Sequence, residues 1–138
     1  MANRSSQTNE FRSSWWSIKL LPTWSATESA ECVSLRSSGD SGVLQISAIR
    51  KPTGHLTDDD VLEFASDTKQ KGRELKPIAK AHVSGVTAEF EDQKRYWREW
   101  WLKGGATLVY VTYNVSLASK DRETEPIEQM ISSIAING

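Results

Sequence analysis

An intramolecular disulfide and a cysteine-rich zinc site are closed to this chain by arithmetic: its 138 residues include one cysteine, Cys32, and two histidines, His55 and His82. A single cysteine forms no intramolecular bridge and no cysteine-rich metal site, and neither histidine has a second His or Cys at ligand spacing. No metal is therefore expected, and Cys32 reads as a small buried apolar residue. An excess of one charge is also missing. Seventeen Lys and Arg stand against 18 Asp and Glu, for a formal net charge of −1. That leaves no positive surplus to hold a phosphate backbone or an anionic bilayer, so neither nucleic acid nor membrane is an expected partner. Long apolar runs are absent too. Within residues 1–10 only Met1 and Ala2 are apolar, which provides neither a secretory core nor a membrane span and makes cytoplasmic the default expectation. No Gly-rich phosphate-binding string occurs, so no nucleotide cofactor is expected.

What is present is enough for one domain, since 138 residues lie in the usual single-domain range of roughly 100 to 150. Residues 1–14 are polar and Ser-rich and read as a disordered tail, which leaves 15–138 as the folded unit. Trp16, Ile18 and Leu20 alternate with Ser17 and Lys19, predicting a strand ended by Pro22, with Trp24 in a connecting turn. Residues 31–36 and 43–50 alternate again around a Gly, Ser and Asp loop, predicting a hairpin with Val33 and Leu35 on the face of Leu44, Ile46 and Ala48. Thr57 is placed to cap a helix whose first turn holds Asp58, Asp59 and Asp60, where acids favour the positive end of the dipole. Val61, Phe64, Ala65 and Thr68 give that helix its buried stripe, and Gly72 stops it.

Residues 83–117 carry the clearest pattern, an antiparallel meander of three alternating runs. Gly104-Gly105 predicts a tight turn, because both central residues of a type I′ turn need positive φ. Pairing Lys103 with Ala106 and Glu91 with Tyr96 puts Val86, Ala88, Phe90, Trp97, Trp101, Leu108 and Tyr110 on one face. Tyr96, Trp100, Val109, Val111, Tyr113 and Val115 then occupy the other. Two apolar faces need two covers, and the helix after Thr57 and a second over 123–133, with Ile127, Met130 and Ile131, supply one each. The expected fold is α+β: a single-domain α/β/α sandwich with a central antiparallel sheet and two main helices. Arg98 and Glu99 are out of place as charges inside a Trp-rich strand, and Glu89 falls opposite Arg98 as a cross-strand ion pair.

The order of these elements resembles the PsbP-like superfamily over residues 15–136. The positions of Gly85 and Gly104-Gly105, the run Leu108 to Tyr113 and the closing Ile131-Ser132-Ser133-Ile134 carry that likeness. The resemblance implies an α/β/α sandwich and a binding role, and it carries no catalytic residue across. Extracytoplasmic members of that superfamily begin with a signal peptide or a lipid-attachment cysteine, which this chain does not show near its start.

Two strings invite catalytic or metal readings. Gly39-Asp40-Ser41-Gly42 matches the string around a chymotrypsin-type nucleophile, yet no histidine precedes Ser41 and the chain is too short for two β-barrels, so turn chemistry is the better account. Asp58, Asp59 and Asp60 lack the spaced oxygens of a calcium loop. The compositional anomaly is tryptophan, six in all, with Trp97, Trp100 and Trp101 on one strand. Core packing is one reading and an interface is the other, because Trp buries a large area and offers an N–H donor. The expectation is a non-enzymatic protein-binding or adaptor domain, of the secretion-chaperone or immunity type, acting as monomer or homodimer through Trp97, Arg98, Trp100 and Glu89. The alternative is a carrier of a small or lipid-like ligand held between sheet and helix. A hydrolase using Ser41 or His55 comes last.

Overall fold

A computed structural model describes residues 9–38 and 42–136. The expected tail over 1–14 ends sooner than its composition indicates, because Asn9–Arg12 is strand β1; residues 1–8 lie outside the described residues. The meander is present as β7 (Ser84–Asp92), β8 (Arg95–Gly104) and β9 (Thr107–Ser116). Glu91 pairs with Tyr96 as expected, across a turn in which Gln93 and Lys94 have φ of 53° and 64°. The second turn moves by one residue. Gly104 pairs with Thr107 and Lys103 with Leu108 instead of Ala106, and at the tip only Gly105 has positive φ, 56°. That is the pattern of a type II′ turn, not I′. Gly104 serves close packing instead: a Cβ there would meet the Ile136 side chain at 2.9 Å. Lys103 thereby shifts its partner by two residues, and every side chain keeps its expected face.

Four further strands, β3 (Trp24–Glu28), β4 (Val33–Ser37), β5 (Val43–Arg50) and β6 (Lys76–Ala79), complete an antiparallel seven-stranded sheet in the order β3-β4-β5-β9-β8-β7-β6. The expected hairpin is β4-β5, with Leu35 opposite Leu44 and Val33 opposite Ile46. Trp24 opens β3 instead of lying in a turn. Pro77 occupies the edge strand β6, where a missing N–H costs the ladder least.

The inner face is fully apolar at its centre: Trp100, Leu102, Val109, Val111, Val115, Leu35, Leu44 and Ile46 are buried. Its cover differs from the single helix expected. Helix α3 (Thr124–Ser132) contributes Ile127, Met130 and Ile131, and beside it lies a small sheet of β1, β2 (Trp16–Leu20) and β10 (Ala135–Ile136). Trp16, Ile18 and Leu20 of β2 enter the same core. Burying each such aliphatic side chain contributes about 1.5–3 kcal/mol, which holds β2 on the core as the strand that β1 pairs with. Phe11, opposite Ile18, anchors it with its ring 5.6 Å from that of Trp16.

The outer face is apolar only where helices cover it. Thr57 accepts from the Asp60 N–H at 3.1 Å while the Asp60 carboxylate accepts from the Thr57 N–H at 2.9 Å, a capping box that starts α1 (Asp58–Phe64). The Thr57 backbone bond, followed by Lys51, holds the Asp60 carboxyl below the ordinary range. The expected single helix is broken at Ala65, where φ is −90° and ψ 4°, and continues as α2 (Ser66–Gln70). Val61, Ala65 and Thr68 turn inward as the spacing predicts, but the break leaves Phe64 47% exposed. Leu56, Val61 and Ala65 pack on Ala88, Trp101 and Leu108. Toward β4 and β5 the same face carries Gln45, Ser47, Thr112 and Asn114, so the expected uniformly apolar face is limited to its covered half. The result is one α+β domain with helices on both faces of an antiparallel sheet. No helix among the described residues is long and apolar enough to cross a membrane.

Candidate functional site

The four residues singled out as a partner surface are separated by strand alternation. Trp97 points to the outer face, where its ring stacks on Phe90 at 6.4 Å and 8°, with the Arg73 guanidinium 3.6 Å above the Phe90 ring. Arg98, Trp100 and Glu89 belong to the inner face. Glu89 and Arg98 face each other in the register, yet the expected ion pair between them does not form. Arg98 Nη1 donates instead to Glu128 on α3 at 2.6 Å, its Nε donates to Thr87, and its guanidinium lies 4.7 Å over the Trp100 ring. Glu128 also pairs with Lys80 at 3.4 Å, while Glu89 accepts from the Tyr96 hydroxyl at 2.5 Å. The sequence could not anticipate α3 as the closer anion. Trp100 is completely buried, which places it in the core and not on an interface.

Other flagged groups are dispersed. His55 and His82 are exposed, and no cluster of three metal-ligating side chains occurs among the described residues. Cys32 is half-buried, not buried, in a turn beside Ser29. Ser41 lies outside the described residues. Its neighbour Gly42 abuts a buried carboxylate, Glu123, which accepts from Ser37 at 2.7 Å and from Tyr113 at 2.5 Å.

Glu99, the other misplaced charge, sits in a concavity on the outer face. The break between α1 and α2 leaves an open groove of about 430 Å³ against β5, β9 and β8, lined by Ser47, Ile49, Phe64, Thr68, Trp101 and Tyr110 with Glu99 among them. Its position follows from local pairing. Glu99 lies opposite Ala88 on β7, a side chain too small to cover it, and diagonal to Tyr110 on β9. Thr68 on α2 donates to one carboxylate oxygen at 2.7 Å and the Tyr110 hydroxyl donates to the other. The Tyr110 ring is 5.5 Å from Trp101, tilted by 34°. Thr68 and Tyr110 were missed as site residues. The available signal was a charge on the face that the alternation assigns to Trp101 and Tyr110.

Burial first, then the hydrogen bond to the Glu99 carboxylate and its charge, push the Tyr110 hydroxyl well above the ordinary tyrosine range. Burial and Glu89 do the same to Tyr96. The folded state thus retains protons that the unfolded chain releases at about pH 10. The stability these hydroxyls contribute is complete below that pH and falls as pH rises beyond it. Tyr110→Phe is expected to flatten the alkaline loss, measured as urea midpoints from about pH 8 to 11. An unchanged slope in both Tyr110→Phe and Tyr96→Phe would contradict it.

No family model and no curated protein matches this sequence. Solved structures do. A protein of Bacteroides thetaiotaomicron VPI-5482 superimposes with a TM-score of 0.70 at 14% identity over 96% of this chain. The chain spans about half of that protein, 49% of its length. Cyanobacterial PsbP of Synechocystis sp. PCC 6803 superimposes with a TM-score of 0.66 at 12% identity, covering 96% of this chain and 94% of its own. The architecture built up from the meander is therefore the PsbP-like fold.

Proposed function

We propose that this chain is a non-enzymatic binding domain whose ligand site is the groove between α1–α2 and the outer face of the sheet. One observation carries the reading: a concavity of about 430 Å³, floored by a carboxylate whose two oxygens are each held by a hydroxyl donor. Small-ligand sites run from roughly 300 to 1,000 Å³ and combine apolar walls with a few fixed polar groups. Glu99 is held as an acceptor, with neither histidine among the lining residues, which favours holding a ligand over moving protons.

Native mass spectrometry of the chain purified from its source is expected to show a bound small molecule that disappears in Ser47→Phe, a substitution that fills the groove. Retention of the same adduct in Ser47→Phe would remove the ligand from this site. An adaptor reading keeps one supporting observation, the half-buried Phe90–Trp97 stack on the outer face. It requires a protein partner recovered by pull-down to be lost with Trp97→Ala and kept with Arg98→Ala, whose side chain lies on the opposite face.

A further inference from the structure

We infer that the groove recognises a small organic cation, an ammonium or amidinium head on an apolar stem, with the head against Glu99. This rests on the groove being the ligand site. On the same face of β8, Lys103 pairs with Asp58 and Arg95 donates to Asn114, so neither cation is turned to Glu99. Glu99 forms no ion pair with any described residue and meets only the Thr68 and Tyr110 hydroxyls. A carboxylate has about four lone-pair positions, so two hydroxyl donors leave acceptor capacity for N–H groups. Charge-assisted bonds to such donors are shorter and stronger than neutral ones.

The walls match the same head group. Trp101 and Tyr110 line the groove beside the carboxylate, and an aromatic face turned to a cation attracts it through the ring quadrupole. Asp67 at the rim adds a second negative charge and Lys71, one turn further along, a positive one, so the groove is net negative. An anionic ligand would face Glu99 and Asp67 together. The stem has its own surface: Phe64 and Ile49 stand at the mouth, 47% and 46% exposed, above Leu108 and Trp101. A neutral apolar ligand would cover Glu99 without pairing it, which costs free energy in a desolvated site.

The test is a set of ¹H–¹⁵N titrations of the full chain with n-hexylammonium, n-hexanol and hexanoate, which share size and stem and differ in head charge. Hexylammonium is expected to bind about tenfold or more tightly than hexanol, shifting the Trp101 indole and the Thr68 and Tyr110 amides, with hexanoate weakest. Glu99→Gln should bring hexylammonium to the hexanol level, and Lys71→Ala should tighten it. Gln keeps an acceptor for Thr68 or Tyr110, and an unchanged thermal midpoint verifies the fold. Ser47→Phe provides a second variant that blocks the groove with Glu99 intact. Equal binding of hexanol, or tighter binding of hexanoate, would overturn the cation assignment and leave the groove as a ligand site. Absence of groove shifts with all three probes would overturn both. Tighter binding of a Gly-Lys-Gly peptide than of hexylammonium would transfer the site to a partner's lysine and overturn the small-molecule assignment.

Discussion

Trp100→Ala is expected to lower folding stability by about 3–5 kcal/mol, the range for truncating a large aromatic side chain in a packed core. Trp100 is fully buried within the cluster that joins Leu102, Val109, Val111 and Ile127. The cavity left behind would lie at the centre of the inner face, where the surrounding β8 and β9 ladders resist collapse. Trp100→Phe separates packing from hydrogen bonding. The Trp100 Nε1 is buried with no hydrogen-bond partner among the described residues. Such a group costs about 1–3 kcal/mol, so removing it offsets part of the lost ring area. The Phe variant should therefore lose less than half of what the Ala variant loses. Urea unfolding followed by far-ultraviolet circular dichroism measures both, provided the slope stays constant. A loss below about 1 kcal/mol in Trp100→Ala would return Trp100 to the surface reading that its sequence context also allows.

The second large effect is expected at Gly85, where Gly→Ala should cost about 3 kcal/mol, the upper end of the usual range for overpacking. Gly85 pairs with Leu102, and a Cβ on it would run into the Trp101 carbonyl, with the Trp101 carbonyl carbon at 2.9 Å and Leu102 Cα at 3.2 Å. All three are backbone atoms, so no side chain can rotate away and the β7–β8 ladder itself must part. A strand glycine at such a close approach is a packing requirement, not a turn device. Hydrogen exchange should report the damage at the amides of β7 and β8 near Gly85 and Leu102 before it reaches β4 and β5. Wild-type stability in Gly85→Ala would show that the two strands sit further apart there.

Some of this could be read directly from the residues. Thr57 and Asp60 cap α1 because the capping box is a contact between residues three apart. Period-two alternation already places Trp97 and Trp100 on opposite faces, and the register confirms it. Alternation does not say which face is deeper, and so the grouping of Trp97, Arg98, Trp100 and Glu89 into one surface fails. Arg98 finds Glu128 thirty residues away on α3 instead of Glu89 across the ladder. The polar segment Asn9–Arg12 was missed for a related reason, since β1 is ordered by pairing with β2 and by one ring contact, not by its own composition.

The sequence by itself determined the meander, the parity of its side chains, the cap at Thr57 and, by its single cysteine, that no intramolecular disulfide forms. These are set by contacts a few residues apart or by counting. The tertiary structure decided which Gly of the Gly104-Gly105 pair takes the turn, because Ile136 packs against the other. It also decided that Trp100 is core and that α1 and α2 part at Ala65. It brought Glu99, Thr68 and Tyr110 into one groove, from β8, α2 and β9. That site depends on hydrogen bonds spanning 31 and 11 residues, and such distances carry no periodic signature along a chain.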